Sequence, residues 1–406
     1  MKRKNNGFFS NIKKKILKGK NKFTIVEAIS FMVVTFALGM IVGGIIMYGK
    51  ESYRGSNNES LNDFISTYND ILNNYYQPVD GEKLLEAGIN GMISYLGDPY
   101  SMYMDKEYTE EFNMILDGKY SGIGAEIQQN AETGEVKILN VYKNTPAEKA
   151  GLKENDIIYK VNGEEVNGLT ASEVSEKVKG QEGTKVDLTI KRGEELIDVT
   201  LTRDSVDIPS VSSEIIEKNG KKIGYIYVSV FAENTDVQFK EEVEKLEKDH
   251  IDSLIIDLRQ NSGGHLKTVT NMISMFIKKG EIIYQLKTKD NIEEYKDQTD
   301  EHRTYPIGII IDNGSASASE VFTAALKEKY GATVIGEKSF GKGKVQKAYN
   351  LSNGGMIKYT YQEWLTPDGN YIDGQGIEPN IKVSYSKNEK DKYDSQVLKA
   401  LEEMSK

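Results

Sequence analysis

Two stretches of the chain share one plan, and that plan narrows the possible folds more than any other feature. Residues 253–276 (SLIIDLRQNSGGHLKTVTNMISMF) and 307–331 (IGIIIDNGSASASEVFTAALKEKYG) each run from an apolar strand through a glycine- or serine-rich turn into a helix. Apolar runs without alternation belong to strands covered on both faces, as in a parallel sheet. The repeat predicts an α/β core with both turns at the carboxyl edge of the sheet, where ligands bind in such folds. Each turn also aims a helix start at that edge. Helix starts carry unpaired N–H groups and partial positive charge, which suit them to hold an oxyanion.

In the second turn Ser315, Ser317 and Ser319 alternate with alanine, which leaves room for a polypeptide backbone to approach. Serines at a helix start are also ordinary caps, so the segment alone leaves catalysis and capping both open. A nucleophilic serine needs a base. Of the three histidines, His250 falls at a helix–strand turn and His302 in a charged loop, and only His265 could approach the serines. A lysine is the better candidate. Lys342 sits between two glycines in SFGKGKVQ (residues 339–346), where the backbone can bend to turn the ammonium inward. It serves as a base only when neutral, which near pH 7 costs about 4–5 kcal/mol and calls for burial. By spacing alone a solvated loop lysine remains the simpler reading. Residues 336–342 also match seven positions of a phosphate-binding GxxxxGK[ST] loop, but Gly343 replaces the hydroxyl residue and a strand pattern follows.

Upstream, residues 120–205 read as short strands and turns, with Asn162-Gly163 as a hairpin signal and a helix over residues 171–178. Five strands with one or two helices make a small, partly open β-barrel. Within YSGIGAEI (residues 120–127), Gly122 and Gly124 flank Ile123 and allow backbone N–H groups to turn inward as an anion-binding nest. An adjoining strand edge could accept an extended peptide. TPAEKAGLKENDIIYKVNGEEV (residues 145–166) resembles a PDZ domain, in which that loop holds a C-terminal carboxylate.

Taken in order, LGDPYS (96–101), the PDZ-like region, DLRQNSGG (257–264), NGSASASE (313–320), SFGKGKVQ (339–346) and TPDGNYIDGQGIEPN (366–380) resemble the carboxyl-terminal processing, or tail-specific, proteases. The resemblance runs over residues 61–381. It implies a ClpP/crotonase-like α/β protease core with an inserted PDZ domain and a Ser/Lys dyad. By position the nucleophile falls on Ser317, the base on Lys342, and a glutamine that orients the lysine on Gln346. The oxyanion donors fall on the N–H groups of Gly263 and Ala318, and substrate binding on Gly122, Ile123 and Gly124. No metal or other cofactor is implied. The partners implied are protein substrates with apolar C-termini, and members often form dimers through terminal helices. Gln260-Asn261-Ser262 departs mildly from the usual residues before the double glycine, and His265 receives no role. The rival reading is an inactive, membrane-anchored PDZ scaffold.

The N-terminus gives the expected address. Residues 1–50 hold ten Lys/Arg and one acid, and residues 29–48 carry no formal charge. Twenty apolar residues can span a hydrocarbon core of ~30 Å. Positive charge ahead of them predicts a cytoplasmic N-terminus and an extracytoplasmic body. The stretch is longer than the apolar part of a cleaved signal peptide, so an uncleaved single-pass anchor is expected. The remaining residues carry 42 bases against 61 acids, which repels nucleic acid. Without cysteine there is no disulfide or thiol chemistry. The expected order is a basic segment (1–24), anchor (25–48), linker and helical region (49–115), PDZ domain (116–205), Ser/Lys protease core (206–386) and tail helix (387–406).

Overall fold

The computed structural model describes residues 58–406, so the expected basic segment and anchor lie outside the described residues. Among the described residues no helix is long and apolar enough to cross a membrane. The chain divides into two compact units at residues 89 and 90. In the first, helix Asn58–Asn74 and the start of helix Gly81–Tyr95 meet where Phe64 covers Gly88 and the Tyr68 hydroxyl donates to Gly81 O at 3.1 Å. Phe64, Ile71, Leu72 and Tyr75 stay exposed, because two short helices have too little surface to enclose them.

The second unit contains the repeated strand–turn–helix plan. Its main sheet runs in the order Val211–Lys218, Lys221–Val228, Ser253–Asp257, Ile307–Ile311, Thr333–Gly336 and Ile381–Lys382. The first pair is antiparallel and the rest are parallel. Every residue of Ser253–Asp257 and Ile307–Ile311 is buried, as their unbroken apolar runs require. One face packs against helices Thr235–Lys248, Leu266–Ile273 and Ala318–Ala325 through Phe231, Phe239, Phe276 and Phe322. The other face (Ile216, Ile223, Ile255, Ile310, Ile335) is covered by Val397, Ala400 and Leu401 of helix Ser395–Met404. The tail helix therefore caps the core locally.

A second, antiparallel sheet joins Met102–Met104, Met356–Leu365, Ile282–Lys287 and Ile292–Lys296, with Lys344–Asn350 also paired to Met356–Leu365. The residues after Lys342 thus form a strand. No helix start is available there to cradle a phosphate.

The PDZ region is a six-stranded antiparallel sheet, one strand of which is the two-residue Glu164–Glu165, closed by helix Ala171–Val178 around Ile138, Val174, Val186 and Ile190. Asn162 and Gly163 both take positive φ (51° and 83°), which matches the twist of the flanking strands. The chain enters and leaves this region as an antiparallel ribbon, Lys119–Gly122 against Asp204–Asp207.

Candidate active site

The two turns meet at one edge of the main sheet. In the first, Gly264 takes φ 144°, and an added Cβ would lie 2.2 Å from Phe231 O. Gly263 faces the second turn, where its Cβ would lie 2.9 Å from Ser317 Cβ and 3.0 Å from Ala318 N. Only glycine allows the turns to come this close.

The three serines of the second turn do different work. Ser315 is buried, donates to Leu258 O (2.8 Å) and accepts from the Asp312 N–H (3.0 Å). Ser319 is buried and donates to Asn261 O (2.7 Å). These two fasten the second turn to the first. Ser317 is partly open, and its hydroxyl proton has no acceptor among the described residues. Its backbone is strained for a non-glycine residue, at φ 53° and ψ −114°. Ser317 therefore stands at the edge as the serine with a proton to give.

Lys342 is held by its main chain. Its N–H donates to Glu320 Oε2 (2.8 Å), and its carbonyl accepts from Trp364 Nε1 (2.7 Å). The side chain is largely enclosed, with Nζ 5.5 Å from the centre of the Tyr100 ring. Burial lowers its affinity for a proton, against the opposing pull of the Glu320 and Asp98 carboxylates. A lysine base needs that direction of shift.

Glu320 links the two functional loops. Its wholly buried carboxylate accepts from the Ser317 N–H (2.9 Å), the Gly341 N–H (2.7 Å), the Lys342 N–H and the Ser339 hydroxyl (2.6 Å). Burial pushes its carboxyl above the usual range, and the donors work the other way. Sequence reasoning gave Glu320 no role. The available signal was Ser317-x-x-Glu320, the spacing of a capping box.

The other expected residues are placed as follows. Ala318 opens its helix, so its N–H has no intrahelical acceptor. The Gly263 N–H, expected as an oxyanion donor, donates to Asn261 Oδ1 at 2.9 Å and is engaged. Gln346 Nε2 donates to Thr360 Oγ1 at 3.3 Å. The Thr360 N–H donates to Ser101 Oγ (3.1 Å), and Ser101 in turn donates to Asp98. The segment LGDPYS thus reaches the Lys342 loop through Tyr100 and Asp98. His265 Nε2 is buried and has no hydrogen-bond partner among the described residues.

In the PDZ region, strand Ala125–Gln129 pairs among the described residues with Val136–Val141 alone, and its other edge lies beside helix Ala171–Val178. Gly122 ends the linking ribbon, and its added Cβ would meet the Tyr120 ring at 2.5 Å. Ile123 is buried. Gly124 has φ 83°, and its added Cβ would lie 2.2 Å from Thr145 Cβ. Half-buried Tyr120 has its phenol pushed up to about 12, chiefly by burial.

Residues 222–383 match the description Peptidase family S41, residues 43–108 the N-terminal domain of the activating protease CtpB, and residues 137–192 a PDZ domain. A probable CtpA-like serine protease of Staphylococcus epidermidis is 37% identical over 366 residues, covering 89% of this chain and 73% of the relative. The chain belongs to peptidase family S41. A probable CtpA-like serine protease of Staphylococcus aureus strain N315 is 40% identical over 331 residues, 81% of this chain. The aligned part spans 66% of that S41 relative's length. Among solved structures, the photosystem II D1 C-terminal processing protease aligns at 26% identity with a TM-score of 0.47, covering 81% of this chain and 88% of that one.

Proposed function

We propose that this S41 peptidase is a membrane-anchored, extracytoplasmic serine endopeptidase that cuts by acyl transfer from a Ser/Lys dyad. The observation that carries the reading is the shared carboxylate. Glu320 fixes the backbone of Ser317, the serine with an unassigned proton, and that of Lys342, the lysine whose charge burial disfavours. Neutral Lys342 takes the proton from Ser317 Oγ as that oxygen bonds to the peptide carbonyl carbon. The resulting oxyanion is stabilised by the N–H groups of Ala318 and Gly263, worth roughly 3–4 kcal/mol per donor in comparable sites. Use of the Gly263 donor requires its bond to Asn261 to be shared or released. Lys342 then gives the proton to the leaving amine, and later takes one from the water that frees the acyl group. Gln346, through Thr360, positions the base loop.

The PDZ nest and its strand edge supply the substrate. A C-terminal carboxylate would bind at Gly122–Ile123–Gly124 while the preceding residues add as a strand beside Ala125–Gln129. An apolar C-terminal residue fits the apolar lining between that strand and helix Ala171–Val178. The uncharged stretch at residues 29–48 supports the anchor, and assembly as a dimer is what the family resemblance implies.

The test is hydrolysis of an internally quenched peptide with an apolar C-terminus by the full chain in detergent. Wild type should cleave it, and Ser317→Ala and Lys342→Met should not. Equal rates for wild type and Ser317→Ala would defeat the mechanism and favour a scaffold. Amidating the peptide's C-terminus should slow cleavage, and an unchanged rate would remove the PDZ step alone.

A further inference from the structure

One wall of the space around Lys342 Nζ comes from far back in the chain. Residues 98–101 (Asp98-Pro99-Tyr100-Ser101) form a tight turn, closed by the Ser101 N–H donating to Asp98 O at 3.2 Å. Asp at the first position and Pro at the second suit such a turn. Proline presets the backbone angle, and the short carboxylate reaches the main chain two residues on. The Asp98 carboxylate does so, accepting from the Tyr100 N–H at 3.1 Å and from the Ser101 hydroxyl. Ser101 Oγ in turn accepts from the Thr360 N–H at 3.1 Å, and Thr360 Oγ1 from Gln346 Nε2 at 3.3 Å. These bonds pin the turn to strands Met356–Leu365 and Lys344–Asn350, which follow Lys342. The turn leaves the Tyr100 ring half-buried, with its centre 5.5 Å from Lys342 Nζ.

We propose that Tyr100 is a positioning residue of the catalytic site, held by the Asp98 turn so that its ring shuts water out from Lys342 Nζ and keeps the amine ready to accept a proton. The proposal rests on the reading of Lys342 as the base. A ring beside an ammonium acts in two opposed ways. Its face attracts the charge within about 6 Å of the ring centre, and its bulk displaces the water that would solvate that charge. At 5.5 Å the attraction is near the end of its reach. Burial is the leading influence on Lys342 and works toward the neutral amine, so exclusion of water is the effect that wins here. Charged groups face Lys342 from several elements. Glu320 of helix Ala318–Ala325 and Asp98 of the turn favour the ammonium. Lys344, two residues along, is paired with Glu363 and Asp373, and Lys358 lies on strand Met356–Leu365. None of these is altered when Tyr100 alone is replaced. Tyr100 itself has its phenol pushed up, chiefly by burial, so it stays uncharged near neutral pH.

The experiment is the rate at which a fluorophosphonate labels Ser317 in the full chain in detergent, followed from about pH 6 to 10. Tyr100→Ala admits water, so the midpoint of its pH profile should lie about 0.5–1 unit above that of wild type. Below both midpoints it should label about three- to tenfold more slowly, and the rates should converge at high pH, where Lys342 is neutral in either protein. Tyr100→Gln, which puts a polar amide in the ring's place, should raise the midpoint likewise and serves if Tyr100→Ala does not fold. Tyr100→Phe keeps the ring and should restore the wild-type midpoint. Tyr100→Leu keeps apolar bulk without an aromatic face, so its midpoint should match wild type or fall below it. An unmoved or lowered midpoint in Tyr100→Ala, or a raised one in Tyr100→Phe or Tyr100→Leu, would overturn the proposal. A second readout needs no activity: the carbon-13 titration of Lys342 in chains grown with Cε-labelled lysine, in a Ser317→Ala background and assigned by the signal lost in Lys342→Arg. Adding Tyr100→Ala should move that midpoint to higher pH, and an unmoved midpoint also overturns the proposal. If wild type labels no faster than Ser317→Ala, the Ser/Lys mechanism fails, while the titration still judges Tyr100.

Discussion

Ser317 carries two burdens in one position, an unassigned hydroxyl proton and a backbone shape that side chains resist. Glycine tolerates that shape, so Ser317→Gly should raise stability by about 1 kcal/mol while abolishing labelling. Ser317→Ala keeps the Cβ and should abolish labelling without that gain. Thermal melts of the two variants side by side check the contrast, and equal melting temperatures would mean the turn holds no strain. Glu320 gives the opposite pattern, since its carboxylate satisfies four donors. A carboxamide would turn its own donors toward some of them. Glu320→Gln should therefore lose about 2–4 kcal/mol and at least about tenfold in kcat, with KM little changed. Denaturant unfolding and steady-state kinetics read the two effects. Lys358, partly buried in strand Met356–Leu365, adds a pH signature to stability. Its native value of about 8 lies below the ordinary 10.5, so between these the unfolded chain binds more protons and wild-type stability rises with pH. Lys358→Met should be more stable than wild type by roughly 1–3 kcal/mol at pH 7, with the advantage shrinking as pH climbs through that window.

At the scale of elements, the PDZ region and the catalytic edge can be disturbed separately. Gly124 must keep φ 83° and has Thr145 where a side chain would begin. Gly124→Ala should remove binding of an apolar-tailed peptide while fluorophosphonate labelling of Ser317 continues. Loss of both together would show that the nest also supports the catalytic turn. The elements themselves were largely legible in the sequence. Ser253–Asp257 and Ile307–Ile311 announce double-sided burial through unbroken apolar runs, and Ala171–Val178 announces a helix through its spacing. The joints between elements were not legible. Tyr100 and Glu320 meet Lys342 across 242 and 22 residues of chain, and one-dimensional periodicity carries no information about which distant residues share a space. The roles of the serines were hidden for a similar reason. Ser315, Ser317 and Ser319 have the same local chemistry, and only their acceptors in the preceding turn, Leu258 O and Asn261 O, separate the two fasteners from the proposed nucleophile.

For the molecule as a whole, the main sheet is finished by a helix far along the chain. Ile216, Ile255, Ile310 and Ile335 lie beneath Val397, Ala400 and Leu401, while Arg259, beside the Gln260 turn, bonds to Asp394 and Gln396. Chains are synthesised from the N-terminus, and domains begin to fold as they emerge. The apolar back of this sheet must then wait, uncovered, until residues 395–404 have been made. A message cut short between residues 343 and 394 would yield a polypeptide already holding Ser317 and Lys342 but with an oily flank exposed to its neighbours. Such a product should clump before it could cut, so an incomplete copy would be silenced by its own insolubility.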